Sequence, residues 1–218
     1  MSQYFAPHPE SPQPRLIRQA AQIVRDGGVV ALPTDSCYAL ACHLDDKDAV
    51  GRLRQIRGID DRHHLALLCR DLSEIAQYAQ VDNVQYRLLK ATTPGPYVFI
   101  LPATKEVPKR VSHPSRKTIG LRVPANAITQ ALLQELDSPL LSSTLILPGE
   151  TLPMNDGVEI RERLEKVLDL VLDGGACGVE PSTVVDLTGP APRLVRAGVG
   201  DIAAFGLVAS GLGLASVE

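Results

Sequence analysis

The chain has 218 residues, of which 44% are hydrophobic, and a formal net charge of −3. This is the size of one globular domain with an ordinary core, and the net charge excludes a basic surface over the whole molecule. No stretch approaches the roughly 18 apolar residues of a membrane span, and the polar start lacks a signal-peptide core. We therefore expect a cytoplasmic protein with no membrane partner, and four cysteines are too few for a secreted disulfide framework.

Helical and strand patterns alternate along the whole chain. Apolar residues spaced by three and four indicate helices, and short apolar runs between turn residues indicate strands. This interleaving favours a single α/β domain in which helices cover a sheet. In chain order the predicted elements are a helix from Pro14 that ends at Gly27-Gly28, a strand over 29–32, a helix over 49–56, a strand over 65–69, a helix over 83–91, strands over 97–101 and 119–123, a helix over 127–136, an extended segment over 140–147, a helix over 158–168, and strands over 170–172, 183–187 and 194–196.

The predicted domain covers residues 11–206. Residues 1–10 are polar and contain proline, so they are expected to form a flexible N-terminal tail. Residues 207–218 are rich in Gly, Ala and Ser and are expected to form a C-terminal tail.

The motifs of the common nucleotide, hydrolase and metalloprotease sites are absent from the sequence. Cys37 and the pair Cys42-His43 have no matching Cys/His pair elsewhere apart from His63-His64. No metal site built from protein ligands alone is therefore predicted. Cys42 and Cys69 are interpreted as strand residues that point into the core.

The informative feature is a series of short segments with hydroxyl or arginine side chains at predicted strand ends. Ligand sites collect at strand ends in α/β folds, hydroxyls offer donors and acceptors, and arginines match carboxylate and phosphate oxygens. Taken singly, each segment is also typical of turn chemistry, in which Ser, Thr and Asp cap nearby backbone. The segments are residues 33–38, 121–124, 142–144, 181–183 and 196–198.

Taken in order, the segments resemble the YrdC/Sua5 family, and specifically its YciO-type branch. The resemblance spans about Pro14 to Ala203. Residues 33–41 resemble the family's PTET-x-YGLG, 94–96 its PGP segment, 118–124 its T-x-x-x-R-x-P segment, 180–186 its ESTVVD element with Pro181 inserted, and 196–198 its closing RPG.

The resemblance implies a fold and an activity. The implied fold is a twisted, largely mixed β-sheet flanked by helices around a positively lined cleft. The implied activity is that of a threonylcarbamoyl-AMP synthase, a nucleotidyltransferase that joins ATP, L-threonine and bicarbonate on the route to t6A in tRNA, with Mg²⁺ accompanying ATP. Such a reaction needs positioning and neutralisation of phosphate charge but no covalent nucleophile. By resemblance the threonine site contains Thr34, Tyr38 and Ser182, and the nucleotide site contains Arg57, Thr118, Arg122, Thr144 and Arg196.

Two segments depart from the synthase pattern. The family's KxR motif corresponds to Arg57 and Ile59, so the second cation is lost. Its SxN motif corresponds to Thr144 and Ile146, so the amide is lost. Each lost contact to a charged ligand typically costs about 1.5–3 kcal/mol, or roughly ten- to hundredfold in affinity. A weak or diverged synthase is therefore expected.

The sequence leaves a second function open, which is binding of double-stranded RNA or tRNA by the same fold without synthase activity. RNA helices are recognised largely through backbone shape and charge, which requires no base-specific motif. The basic run between Lys105 and Arg122 is also typical of a solvated connection. The candidate RNA contacts are Arg52, Arg54, Arg62, Lys109, Arg110, Arg116 and Lys117.

Overall fold

The computed structural model describes residues 2–61, 63–113, 115 and 117–207, and one mixed sheet runs through them. Its strands are β1 (Gln3–Phe5), β2 (Val30–Leu32), β3 (Ala39–His43), β4 (Ala66–Leu68), β5 (Tyr97–Pro102), β6 (Thr118–Arg122), β7 (Leu140–Thr144), β8 (Leu170–Leu172), β9 (Thr183–Asp186) and β10 (Arg193–Arg196). The strand order is β1-β8-β2-β3-β7-β4-β6-β5-β9-β10. The pairs β1/β8, β2/β8, β4/β6 and β5/β9 are parallel, and the other pairs are antiparallel.

Helices flank this sheet, and local capping sets several of their ends. The helices are α1 (Pro14–Arg25), α2 (Lys47–Arg57), α3 (Leu72–Tyr78), α4 (Asn83–Thr92), α5 (Ala127–Leu136) and α6 (Gly157–Leu164), and a 3₁₀ turn spans Ile202–Phe205. The Asp46 side chain accepts a hydrogen bond from the Ala49 amide at the start of α2, and Gly58 ends α2 in the left-handed conformation with φ 64°. None of the described helices is long and apolar enough to cross a membrane.

Two hydrophobic clusters lie on opposite faces of the sheet. Helices α1 and α5 pack on one face, where Ile17, Val24 and Leu132 meet the strand residues Leu32 and Leu170. Residues of α2, α3, α4 and α6 belong to the larger cluster on the other face. The alternation of neighbouring strand residues between the two clusters follows from the two-residue period of a strand. The predicted α/β fold with a mixed sheet is therefore confirmed.

The N-terminal segment differs from its prediction. Residues 3–5, which were expected to lie in a flexible tail, form strand β1 at the edge of the sheet. The Gln3 amide donates to the Asp169 carbonyl, and the Asp173 amide donates to the Phe5 carbonyl. Three residues carry no periodic signal, so only their pairing with β8 defines them as a strand. The predicted C-terminal tail lies, apart from Leu207, outside the described residues.

Candidate functional site

The turn after β2 and the end of β6 form one hydrogen-bonded cluster. The Thr34 hydroxyl donates to the Cys37 carbonyl at 2.6 Å and accepts from the Ser36 and Cys37 amides. The Arg122 Nη2 atom donates to the Thr34 and Ser36 hydroxyls at 3.3 and 3.1 Å. It also forms an ion pair with Asp35. Thr34 and Arg122 therefore meet in one cluster, and the sequence reasoning did not single out Asp35 and Ser36 as contacts.

A second cluster joins the start of β9 to the end of β10. The Arg196 guanidinium donates to the Ser182 carbonyl from Nε and Nη2 at 3.2 and 2.9 Å, and to the Ser182 hydroxyl at 3.4 Å. Beyond β10 the chain returns to Pro181, whose carbonyl accepts from the Val199 amide at 3.0 Å. A Cβ atom at Gly198 would lie 2.1 Å from the Pro181 carbonyl oxygen. Glycine is therefore required there because the two backbones pass too close for a side chain.

A third cluster surrounds Arg57 at the end of α2. Its Nε atom donates to the Ser143 hydroxyl at 3.1 Å, and its Nη1 atom donates to the Ile146 carbonyl. Two of the positions at which the chain departs from the synthase motifs, residues 57 and 146, are thus in direct contact. Because the contact uses the Ile146 backbone, no pattern of side chains predicts it.

The three arginines act on one another electrostatically, although they come from different elements. Burial and then the charge of Arg196 lower the pKa of Arg57. Burial lowers the pKa of Arg196, and Arg122 lowers it further while Cys37 opposes this. Among the described partners of these arginines, Asp35 supplies the one carboxylate. The three clusters therefore form a region of net positive charge, which suits an anion with several oxygens.

Cys37 lies beside the arginines but does not have the properties of a nucleophile. Burial raises the pKa of its thiol, and this outweighs the opposing effects of Ser36, Arg122 and Arg196. A thiol whose pKa is raised from its ordinary value is protonated at neutral pH, and the thiolate is the reactive form.

Tyr38 contacts the segment after β8, and its assignment to the threonine site stays a prediction. It is fully buried, and its hydroxyl lies 3.0 Å from Asp173 Oδ1 and 2.9 Å from the Gly175 carbonyl. Tyr38 therefore fixes the segment after β8 against the turn that carries Thr34. That segment approaches closely, since a Cβ atom at Gly178 would lie 2.6 Å from the Ser36 carbonyl oxygen.

Among the described residues, no side-chain hydrogen bond joins Thr118 or Thr144 to the three arginines. Thr118 begins β6 and Arg122 ends it, so the two lie roughly 13 Å apart along the strand. The Thr118 hydroxyl is buried and has no hydrogen-bond partner within the described part of the chain. Thr144 ends β7 opposite Ala39 and is half-buried, one residue beyond the Ser143 that accepts from Arg57. Their assignment to nucleotide binding stays a prediction.

Several of the candidate RNA contacts are engaged within the protein. Arg52 pairs with Asp169 at 2.9 Å, and Arg54 is 9% exposed and donates to the Asp60 carbonyl. Arg110 donates to backbone carbonyls, whereas Lys109 and Lys117 are exposed. Arg62 and Arg116 lie outside the described residues.

Comparisons with known proteins identify the family of the chain. The family model for Sua5, YciO and YrdC proteins, described as telomere recombination, matches residues 22–198. The uncharacterized protein YciO of Escherichia coli K12 is 54% identical over 205 residues, which cover 94% of this chain and 100% of YciO. The crystal structure of E. coli YciO superposes with a TM-score of 0.91 over the same shares of the two chains.

Synthases are more distant relatives. The threonylcarbamoyl-AMP synthase of Halorhodospira halophila is 32% identical over 178 residues, which cover 81% of this chain and 92% of the synthase. Sua5 of P. abyssi, solved in complex with L-threonine, is 26% identical with a TM-score of 0.83, and the match covers 89% of this chain and 57% of Sua5. The chain therefore belongs to the Sua5/YciO/YrdC family and is a member of its YciO type.

Proposed function

We propose that the chain binds ATP, L-threonine and bicarbonate and forms threonylcarbamoyl-AMP, as a slow or diverged synthase on the route to t6A in tRNA. The observation that carries the proposal is the region of positive charge formed by Arg57, Arg122 and Arg196. Arg122 contacts the Thr34 hydroxyl in this region, and Arg196 contacts the Ser182 hydroxyl. Guanidinium groups suit phosphate and carboxylate oxygens, and hydroxyls suit a small polar amino acid. The distant synthases and the threonine complex of Sua5 support this choice of substrates.

The proposed chemistry needs charge neutralisation and positioning. Bicarbonate condenses with the threonine amine to give a carbamate and water. A carbamate oxygen then attacks the α-phosphorus of ATP, the bond to the β-phosphate breaks, and pyrophosphate leaves. Arg57 and Arg196 would stabilise the negative charge on the phosphates, while Arg122 and the hydroxyls hold threonine in line. In this proposal Mg²⁺ enters with the ATP phosphates, because it prefers oxygen ligands and keeps several waters.

The contact between Arg57 and the Ile146 carbonyl is expected to lower the affinity for ATP. Two of the guanidinium nitrogens of Arg57 are engaged by Ser143 and Ile146, so Arg57 has fewer N–H groups to offer a phosphate. Ile59 and Ile146 add no polar side chain at the positions where the synthase motifs have one. We therefore expect this chain to bind ATP more weakly than the synthases of the family do.

The test is a mass-spectrometric assay of the purified chain with ATP, Mg²⁺, L-threonine and bicarbonate. We expect threonylcarbamoyl-AMP and pyrophosphate, and we expect Thr34→Ala and Arg196→Ala to lower the rate about ten- to hundredfold each, since each loses a hydrogen bond to a charged ligand. Thr34→Ser is the matched control, because it keeps the hydroxyl that also holds the turn. Arg196→Lys separates the loss of charge from the loss of the guanidinium geometry.

Absence of product at high protein and substrate concentrations, together with absence of ATP binding by calorimetry, would contradict the synthase proposal. Binding of duplex RNA or tRNA, with an affinity that falls steeply as salt rises, would then identify the alternative function. A cytoplasmic location stays a prediction under both functions.

A further inference from the structure

The ion pair between Asp35 and Arg122 is incompletely hydrogen-bonded although it is buried. Arg122 Nη2 donates to Oδ1 of Asp35, but Arg122 Nε and Asp35 Oδ2 have no partner among the described residues. Both atoms are shielded from solvent, and Arg122 is 6% exposed. A buried polar atom left without a partner is destabilising, so two such atoms in one ion pair require an explanation.

In a second aspartate–arginine pair of the chain, both carboxylate oxygens of the aspartate have hydrogen-bond partners. Asp186 Oδ2 accepts from Arg193 Nη2 at 2.8 Å, and Asp186 Oδ1 accepts from the amide and hydroxyl of Thr188 at 2.9 and 2.6 Å. Burial alone would raise the pKa of Asp186, but these hydrogen bonds outweigh it and hold the pKa below its usual value. Both carboxylate oxygens are thus used in that pair, whereas Asp35 uses one.

The unpartnered atoms of Asp35 and Arg122 present an acceptor and a donor within one ion pair. An ammonium group donates hydrogen bonds and a carboxylate accepts them, and an α-amino acid carries both groups on one carbon atom. The hydroxyls of Thr34 and Ser36 lie next to the pair. A phosphate would satisfy Arg122 but would be repelled by the Asp35 carboxylate. The pair therefore matches an amino acid better than it matches a phosphate group.

We propose that Asp35 accepts a hydrogen bond from the α-amino group of the amino-acid substrate while Arg122 holds its carboxylate. This rests on the proposed function and deepens it, because it makes Asp35 the residue that selects ligands with an amine. Without Asp35, the cluster of arginines would attract any small carboxylate or phosphate. With Asp35, a ligand must bring a donor as well as an anion.

The experiment compares ligands that differ in the amine. The wild type, Asp35→Asn and Asp186→Asn are titrated by calorimetry with L-threonine, with 3-hydroxybutyrate, in which a hydrogen replaces the amine, and with inorganic pyrophosphate. We expect Asp35→Asn to weaken L-threonine binding roughly ten- to hundredfold, because a charge-assisted hydrogen bond is lost. Both 3-hydroxybutyrate and pyrophosphate should bind as well or better once the negative charge is removed. Asp186→Asn should change none of the three.

The variants are checked for folding by thermal unfolding, and Asp35→Glu is added because it keeps the carboxylate. We expect Asp35→Glu to recover part of the L-threonine affinity. Equal L-threonine affinity in the wild type and Asp35→Asn would overturn the amine contact and leave the synthase proposal intact. The amine contact is also overturned if Asp35→Asn weakens pyrophosphate but not L-threonine.

The two proposals fail separately. A wild type that makes no adenylate but binds L-threonine through Asp35 contradicts the synthase proposal and supports the amine contact. A wild type that binds no L-threonine at all overturns both.

Discussion

At the residue scale, the same side chains serve both the turn and the candidate site. The Thr34 hydroxyl accepts two backbone amides and donates to the Cys37 carbonyl, which is ordinary turn chemistry. It also accepts from Arg122, which belongs to the arginine cluster. The Thr34 hydroxyl can therefore stabilise the turn and also belong to a ligand site. A loss of activity in Thr34→Ala is informative only beside Thr34→Ser.

Gly198 gives a prediction at the same scale. Gly198→Ala places a methyl group 2.1 Å from the Pro181 carbonyl oxygen, so the backbone before Ser182 has to move. We expect the free energy of unfolding to fall by roughly 1–3 kcal/mol, as overpacked sites typically do, and synthase activity to fall with it. Urea unfolding measures the free energy of unfolding, and product formation measures the activity. The control is Gly189→Ala, whose nearest contact to the new Cβ is the Ala191 carbonyl oxygen at 3.8 Å; equal stability of the two variants would contradict the account.

At the element scale, the edge strand β1 stabilises the segment that packs on the site. The Tyr4 hydroxyl binds one carboxylate oxygen of Asp173, and the Tyr38 hydroxyl lies at the other. Burial, together with the hydrogen bond and charge of Asp173, raises the pKa of Tyr4 to about 12, so the hydroxyl keeps its proton and donates. Asp173 therefore connects β1 with the turn that holds Thr34.

Deletion of residues 2–5 tests this role of β1. We expect the free energy of unfolding to fall by at least about 2 kcal/mol, because several hydrogen bonds to β8 and its flanks are lost at about 0.5–1.5 kcal/mol each. Tyr4→Phe, which removes only the hydroxyl, should cost about 1 kcal/mol. Denaturant unfolding monitored by circular dichroism measures both changes. Unchanged stability after the deletion would show that β1 does not contribute in solution.

At the scale of the whole molecule, the positive charge of the site is a product of topology. Arg57 ends α2, Arg122 ends β6 and Arg196 ends β10, and the folded sheet brings them within electrostatic range of one another. His63 responds to the same field. Desolvation and the charges of Arg57, Arg54 and Arg196 lower its pKa, although the residue keeps much of its surface exposed.

His63 therefore reports on anion binding. A lowered pKa means that His63 is neutral at pH 7, and an anion held by Arg57 and Arg196 favours the charged imidazolium. We expect pyrophosphate to raise the pKa of His63. NMR titration of the histidine resonances with and without pyrophosphate measures this, and His63→Gln identifies the His63 resonance. A His63 pKa that does not move with saturating pyrophosphate would contradict the proposed phosphate site.

Elements with strong local signals could be predicted from the sequence alone. The helix at residues 127–136 and the strand at 170–172 have the predicted bounds, because apolar periodicity and turn residues specify them locally. Strand β1 and helix α3 were not predicted, since a three-residue edge strand and a seven-residue helix carry little periodic signal. Ordered motifs also identified the family, because each motif is contiguous in the chain.

Which side-chain and backbone atoms pair with one another depends on the tertiary structure. The contact between Arg57 and the Ile146 carbonyl joins residues 89 positions apart and uses a backbone atom that every residue possesses. The unpartnered oxygen of Asp35 is likewise a property of its surroundings, since Asp186 in the same chain satisfies both of its oxygens. A sequence specifies which groups are available, whereas burial and distance decide which of them are paired and which are left for a ligand.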